Sequence, residues 1–381
     1  LAPNTTYTAT VLMEAADLAG NALAGDYVWT FTTGTAPDTV APTVLLTDPL
    51  DLAIGVPGNK TITATFSEAM DSLTITTATF ILEQGTTAVL GVVTYLGTTA
   101  TFTPALGLAP NTTYTATVLM DAADLSGNTL TNDYVWSFTT SLLGSSDAFG
   151  AFGGGAGITN QGILTVVNGD IGTTGASTLI TGFHDTGGNI YTETPLNAGT
   201  VNGTIFTAPP APGTAYTFAI ATQAAADAQN AYDNILSPAA MPGGTDPFAG
   251  QLGGKTVAPG VYMAAGGSFE ITGLDLTLDG EGDPNAVWVF QASSTLTVGD
   301  TVPRSVILIN GAQAKNVYWW VGSAATINGA GGGTMAGSII AYSGVTFSTA
   351  GNVALTILNG RALGLNASVT LVNTVINVPA P

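Results

Sequence analysis

Apolar and polar residues alternate with a period of two through most of this chain, the pattern of strands that bury one face. Four short segments carry it around a shared threonine: QASSTLTVG (291–299), WVGSAATIN (320–328), IAYSGVTFS (340–348) and GLNASVTLV (364–372). Aligned on Thr297, Thr326, Thr346 and Thr370, they follow one another at intervals of 29, 20 and 24 residues. Side chains of a strand point alternately to its two faces. Leu296, Val298, Ala325, Ile327, Val345, Phe347, Val369 and Leu371 therefore turn one way and form an apolar interior. Thr295, Thr297, Ala324, Thr326, Asn328, Gly344, Thr346, Ser348, Ser368 and Thr370 are expected on the other side. Irregular rungs of this length predict a β-solenoid, a fold that gains a core only by stacking. Parallel rungs lie about 4.8 Å apart and residues i and i+2 about 6.6 Å apart. The outward side is then a flat, rigid grid of short side chains, and no charged residue occurs from Asn316 to Gly360.

One stretch changes period. In YTFAIATQAAADAQNAYDNIL (216–236), Ala221, Ala225, Ala228, Tyr232 and Ile235 recur at helical spacing, and Pro238 closes the pattern. Upstream the chain repeats itself. LAPNTTYTATVLMEAADLAGNALAGDYVWTFTT (1–33) returns at 108–140 with 27 of 33 residues identical. KTITATFSEAM, ATFTP, TTYTATVL and YVWSFTT alternate between Gly, Pro and Asn turns, which predicts a β-sandwich. Three segments are expected: 1–33 as the last third of a preceding repeat, 34–140 as one sandwich unit, and 141–381 as the solenoid with its helix.

Composition narrows the partners. The chain has 25 acidic and 5 basic residues, a net charge of −20, with Lys60, Lys255, Arg304, Lys315 and Arg361 scattered singly. Nucleic acids and anionic membranes are held by clustered Lys and Arg, so neither is an expected partner. No apolar run reaches the length of a membrane-spanning helix, so no membrane insertion is expected. Without cysteine there is no thiolate metal site. The Gly-, Thr- and acid-rich, Lys-poor composition fits a secreted or cell-surface β-protein.

Catalytic chemistry finds few candidates. His184, beside Asp185, is the single histidine, and its FHDTGG context is read as a surface loop without a nucleophile elbow. Asp275, Asp279, Glu281 and Asp283 cluster in LDLTLDGEGDPN (274–285), and DAADLSGN (121–128) is a second acidic turn. Solvated turns are the plain reading, calcium the next, since hard oxygen ligands suit that ion, and a carboxylate pair for glycan cleavage the last. VYWW (317–320) would bind sugar if its aromatic rings were exposed, but alternation puts part of it in the core. No enzyme activity, cofactor or metal is expected.

APTVLLTDPLDLAIGVPGNKTITATFSEAMD, LAPNTTYTATV, DLSGN and WSFTT resemble the bacterial Ig-like domains of surface-layer and adhesin proteins. Further on, NGDIGTT (168–174), QLGGKTVAPGVY (251–262), LDGEGDPNAVWVFQASSTLTV (278–298), VILINGAQAKNVYWWVGSAATI (306–327) and NGRALGLNASVTLVNTVI (359–376) resemble the microbial ice-binding (antifreeze) proteins. That resemblance implies a mainly β fold, a right-handed discontinuous β-solenoid of triangular section with one long α-helix packed alongside, and adsorption to the ice crystal surface by one flat face. It also implies a loose Thr-Ala/Gly-x-Thr/Asn motif, matched by TAGN (349–352), which adds Thr349 and Asn352 to the candidate ice-contacting residues. FHDTGGNIYTETPLNAGTVNGTIF (183–206) is longer than the family's usual connection. The Ig-like repeats are expected as spacers, with attachment to a cell surface or matrix. A carbohydrate-binding or ice-adhering adhesin tip is the alternative.

Overall fold

The computed structural model describes residues 1–380; Pro381, the last residue of the expected solenoid segment, lies outside them. In the complete repeat, strands such as Ile62–Phe66, Thr99–Pro104 and Tyr134–Thr140 alternate buried with less buried residues. They belong to two sheets, of five and four strands. Phe66, Phe80, Phe102, Trp136 and Phe138 fill the space between, with the Phe80 ring 5.9 Å from that of Phe102 and 5.8 Å from Trp136. The earlier copy keeps the same pairing. Thr6–Val11 and Tyr27–Thr32 run antiparallel with Thr6 opposite Thr32, as Thr113 is opposite Thr139. Among the described residues no second sheet covers this hairpin. Trp29 and Phe31 are consequently each 42% exposed, where Trp136 and Phe138 are at 1% and 0%.

From Phe149 onward, three sheets of thirteen, seven and three strands, almost wholly parallel, surround one core. Spatial order departs from chain order. Across the seven-stranded sheet lie Ile180–Thr181, Ile158–Asn160, Val369–Leu371, Val345–Phe347, Ala325–Ile327, Leu296–Val298 and Phe269–Ile271. The first rungs in sequence thus stack on the last, and the chain must cross the whole stack to begin the remainder.

The helix makes that crossing. Ala215–Asn230 is α-helical and continues as one wider turn, Ala231–Ile235. At 1.5 Å per residue these 21 residues span about 31 Å, close to the roughly 29 Å of six rung intervals. Thr214 and Thr217 close its start reciprocally, each hydroxyl accepting from the other's backbone N–H at 3.1 and 2.8 Å. Ala221, Ala224, Ala228 and Tyr232 pack on Phe149, Phe152, Val289, Tyr318, Ile340 and Leu363. Ala225 and Ile235, expected on the same face, lie at its half-buried rim.

Ig-like unit and solenoid meet around the turn Gly144–Ala148. Asp227 of the helix accepts from the Ser145 backbone N–H and hydroxyl, and Gly107 lies against Gln223. Arg361 donates to the Asp147 carbonyl at 2.7 Å and reaches its carboxylate at 3.0 Å. Burial pushes the Asp147 carboxyl up, and the Arg361 guanidinium opposes that shift. No residue of the seven-stranded sheet belongs to the helix-packed cluster, so that sheet keeps one face clear of the helix.

Candidate functional site

Each strand of the seven-stranded sheet is at most three residues long, and its middle or last position carries a side chain away from the core. Register pairing runs Thr181 to Thr159, Thr159 to Thr370, Thr370 to Thr346, Thr346 to Thr326 and Thr326 to Thr297. Six threonines therefore form a single column. With about 4.8 Å between rungs it is roughly 24 Å long. Their apolar neighbours, including Leu296, Ile327, Val345, Phe347 and Val369, are all within 1% of complete burial. That interior pins each strand's facing, since a one-residue slip would turn every threonine inward. β-Branching leaves each threonine few χ1 states, so the column is stiff in its side chains as well as in its backbone.

The sequence alignment of Thr297, Thr326, Thr346 and Thr370 is therefore a structural register. Thr159 and Thr181 were not anticipated. They precede the helix in sequence and join the column only because the chain doubles back; their signal is an Ile-Thr pair before a corner, ITN and ITG. One position earlier on the rungs, Thr295, Ala324 and Ser368 form a half-buried margin, and the Thr295 hydroxyl lies 2.9 Å from that of Ser268.

Three expected outward positions are corrected. Asn328 is fully buried and Ser348 is 3% exposed. Alternation fails there because each strand ends one residue earlier and the next residue turns a corner with positive φ, 48° at Asn328 and 62° at Ser348. The Asn328 side chain folds inward, accepting from Arg304 N–H at 2.8 Å and donating to the Arg304 and Gly332 carbonyls at 2.9 and 2.8 Å. Gly344 does not present open surface either: a Cβ there would stand 2.4 Å from the Ser368 carbonyl oxygen of the next rung. TAGN lies in the following corner rather than on a rung. Thr349 is exposed, while Asn352 donates to the Gly329 carbonyl at 2.8 Å and the Ser348 hydroxyl at 3.2 Å.

Elsewhere, the polar clusters satisfy themselves. His184 belongs to the strand Phe183–Asp185 and not to a loop. Its Nδ1 is 2.6 Å from a Glu193 carboxylate oxygen and its Nε2 is 3.2 Å from the Thr200 hydroxyl. Neither of the two best-formed cavities is lined by this group. Asp279 and Asp283 each accept a backbone N–H within their own turns, and Asp275 accepts the Ser305 N–H that precedes the strand Val306–Ile309. The Glu281 N–H and then the Asn310 amide hold Asp279 below the usual carboxylate range. In the Ig-like unit, oxygens of Asp38, Glu68 and Asp124 lie within 4.8 Å of one another. Asp124 there already accepts from Ser126 N–H, Asn128 N–H and the Asn128 amide.

The aromatic strip is covered. Trp319 stacks on Phe290 inside the core at 4.2 Å, and Trp320 stacks on Tyr232 of the helical segment at 4.8 Å and donates to its carbonyl. No described helix is long and apolar enough to cross a membrane.

Residues 152–377 match the family described as Ice-binding-like, and residues 1–33 and 38–140 match a bacterial Ig-like domain. An ice-binding protein of Nostoc sp. is 37% identical over 232 residues, 61% of this chain and 71% of that protein. Ice-binding protein 1 of Shewanella frigidimarina is 40% identical over 124 residues, 32% of this chain and 13% of that much longer protein. Among solved structures, a glycosylated ice-binding protein from an Arctic yeast superposes with a TM-score of 0.51 at 29% identity, over 63% of this chain and 94% of the other.

Proposed function

Because the chain belongs to the ice-binding-like family, we propose that it adsorbs to ice through the outer face of its seven-stranded sheet, and that this adsorption restrains ice growth or recrystallisation. The observation that carries the reading is the column of six in-register threonines, Thr181 to Thr297, on a surface the helix does not cover. Ice offers no net charge for a side chain to pair with. A charged side chain there would keep its hydration shell and hold the lattice away, because stripping water from an unpaired charge is expensive. Threonine supplies a methyl group and a hydroxyl on a short, stiff stem, so little side-chain entropy is lost on contact. The contact set consists of Thr159, Thr181, Thr297, Thr326, Thr346 and Thr370, flanked by Thr295, Ala324 and Ser368, with Thr349 at the edge. Gly344 contributes close rung packing, and Asn328, Ser348 and Asn352 shape the corners.

Residues 34–140 act as an Ig-like spacer, 1–33 as part of a further repeat, and 141–381 as the ice-binding solenoid. This arrangement supports an extracellular location in which the repeats hold the solenoid away from a cell surface or matrix. The test is ice-plane affinity of the whole labelled chain on a slowly growing single-crystal hemisphere. Adsorption predicts a patterned label on defined planes; exclusion of the chain into the liquid, as for an ordinary soluble protein, would refute the reading.

A further inference from the structure

The threonine column does not stop where the sheet stops. One more strand, Phe269–Ile271, pairs with Leu296–Val298 in continuous register: Phe269 opposite Leu296, Glu270 opposite Thr297, and Ile271 opposite Val298. Phe269 and Ile271 are as buried as their counterparts on the threonine rungs, at 1% and 0%. Glu270 is exposed. Its place in the column is therefore that of a seventh threonine, on a strand whose backbone continues the same parallel sheet. Among the described residues its carboxylate has no ion-pair partner, the three pairs being Lys60–Asp48, His184–Glu193 and Arg361–Asp147. A further rung follows it, where Gln251 bridges Glu270 and donates to the Thr272 hydroxyl at 2.7 Å. The sheet at this end is limited by a side chain and not by its fold.

We propose that Glu270 sets the boundary of the ice-contacting face, a statement that rests on the reading of the threonine sheet given above. A free carboxylate at the end of the column keeps its water shell against an ice lattice that gives it no counter-charge. Contact ends at the Thr297 rung, and the strand beneath Glu270 serves only to support that rung from below. Removing the charge opens a rung already built. Replacing it by threonine lengthens the column from six positions to seven, so the ordered contact grows by about one sixth, with no ordering cost for the backbone because the strand is in place.

The experiment measures thermal hysteresis of the whole chain, at equal concentration, for Glu270→Thr, Glu270→Gln, Glu270→Lys and Thr326→Tyr. Circular dichroism and thermal melting establish that each variant is folded. Glu270→Thr is expected to raise thermal hysteresis by at least about one sixth, in line with the added rung. Glu270→Gln should give a smaller rise, since it removes the charge without supplying the methyl-hydroxyl pair. Glu270→Lys should give none. If Thr326→Tyr abolishes activity while both Glu270→Thr and Glu270→Gln are unchanged from wild type, Glu270 is not the boundary, although the threonine sheet remains the site. If Thr326→Tyr is fully active, the sheet assignment falls and the boundary with it. A rise with Glu270→Lys equal to that with Glu270→Thr would also overturn the proposal, because charge would then not be the limiting property. Should Glu270→Thr melt early, Glu270→Gln carries the same comparison without a change of side-chain length.

Discussion

Replacing Asn328 by alanine separates two accounts of a residue only two positions past Thr326 of the threonine column. Its side chain is fully buried and serves three backbone groups: the Arg304 N–H, the Arg304 carbonyl and the Gly332 carbonyl. At a net value of about 1 kcal/mol for each hydrogen bond, losing all three costs roughly 3 kcal/mol. The backbone φ of 48° adds about 1 kcal/mol, because alanine tolerates the left-handed region less well than asparagine does. A loss of about 4 kcal/mol corresponds to a fall of roughly 10 °C in Tm for a domain of this size. Differential scanning calorimetry of the whole chain should show that fall in the solenoid transition and leave the Ig-like transition in place. Below the lowered Tm, thermal hysteresis per folded molecule should stay near wild type. Asn328→Gly should recover the backbone share, about 1 kcal/mol. An Asn328→Ala protein that melts like wild type but loses thermal hysteresis would place the side chain against ice and refute the corner assignment.

Gly344→Ala should destabilise the solenoid by about 1–3 kcal/mol, because its new Cβ would meet the Ser368 backbone oxygen at 2.4 Å and force two rungs apart; an unchanged melting curve would show that the rungs have slack. Alkaline titration should act on the solenoid through Tyr191 and Tyr232, whose phenols burial pushes up to about 12, with help from Asp185 at the first and from Asp233 and Tyr342 at the second. An unfolded chain releases these protons near pH 10 and the folded one only near pH 12, so the stability they confer is complete below pH 10 and declines between 10 and 12, by on the order of 1–2 kcal/mol for each tyrosine. Urea melts at pH 9, 10.5 and 11.5 measure this, and a midpoint constant across that range would contradict the burial assigned to both rings.

Much of the architecture was legible in the chain. The 107-residue repeat and the period-two strands gave the sandwich, and the change to helical spacing at 216–236 gave the helix, because each signal is local. Register among Thr297, Thr326, Thr346 and Thr370 was legible for a different reason: each threonine sits between two apolar residues that can only face inward, so the alignment has one solution. Thr159 and Thr181 were not legible, since their rungs join the stack by a return of the chain that no local pattern records. Asn328 and Ser348 misled because alternation was carried one residue past the end of three-residue strands. A corner in the left-handed region resets the parity, and Asn followed by Gly, as in INGAG after Thr326, is the available sign of it. TAGN misled in the same way: a short sequence match says nothing about whether its residues lie on a rung or in a corner.

Thermal hysteresis of Thr326→Tyr and Thr346→Tyr, measured beside wild type together with the ice planes each protein decorates, decides whether the threonine face meets ice. Both threonines are exposed mid-column positions, so a tyrosine can be accepted without disturbing the core. Its ring would stand roughly 4 Å above the plane of the remaining threonines, close to the spacing between rungs, and would hold the lattice off its neighbours on either side. Each variant should melt within about 2 °C of wild type, as outward surface substitutions do, and lose most of its thermal hysteresis and its plane-specific labelling. Two folded variants with wild-type hysteresis and wild-type ice planes would show that another face of the molecule meets the ice.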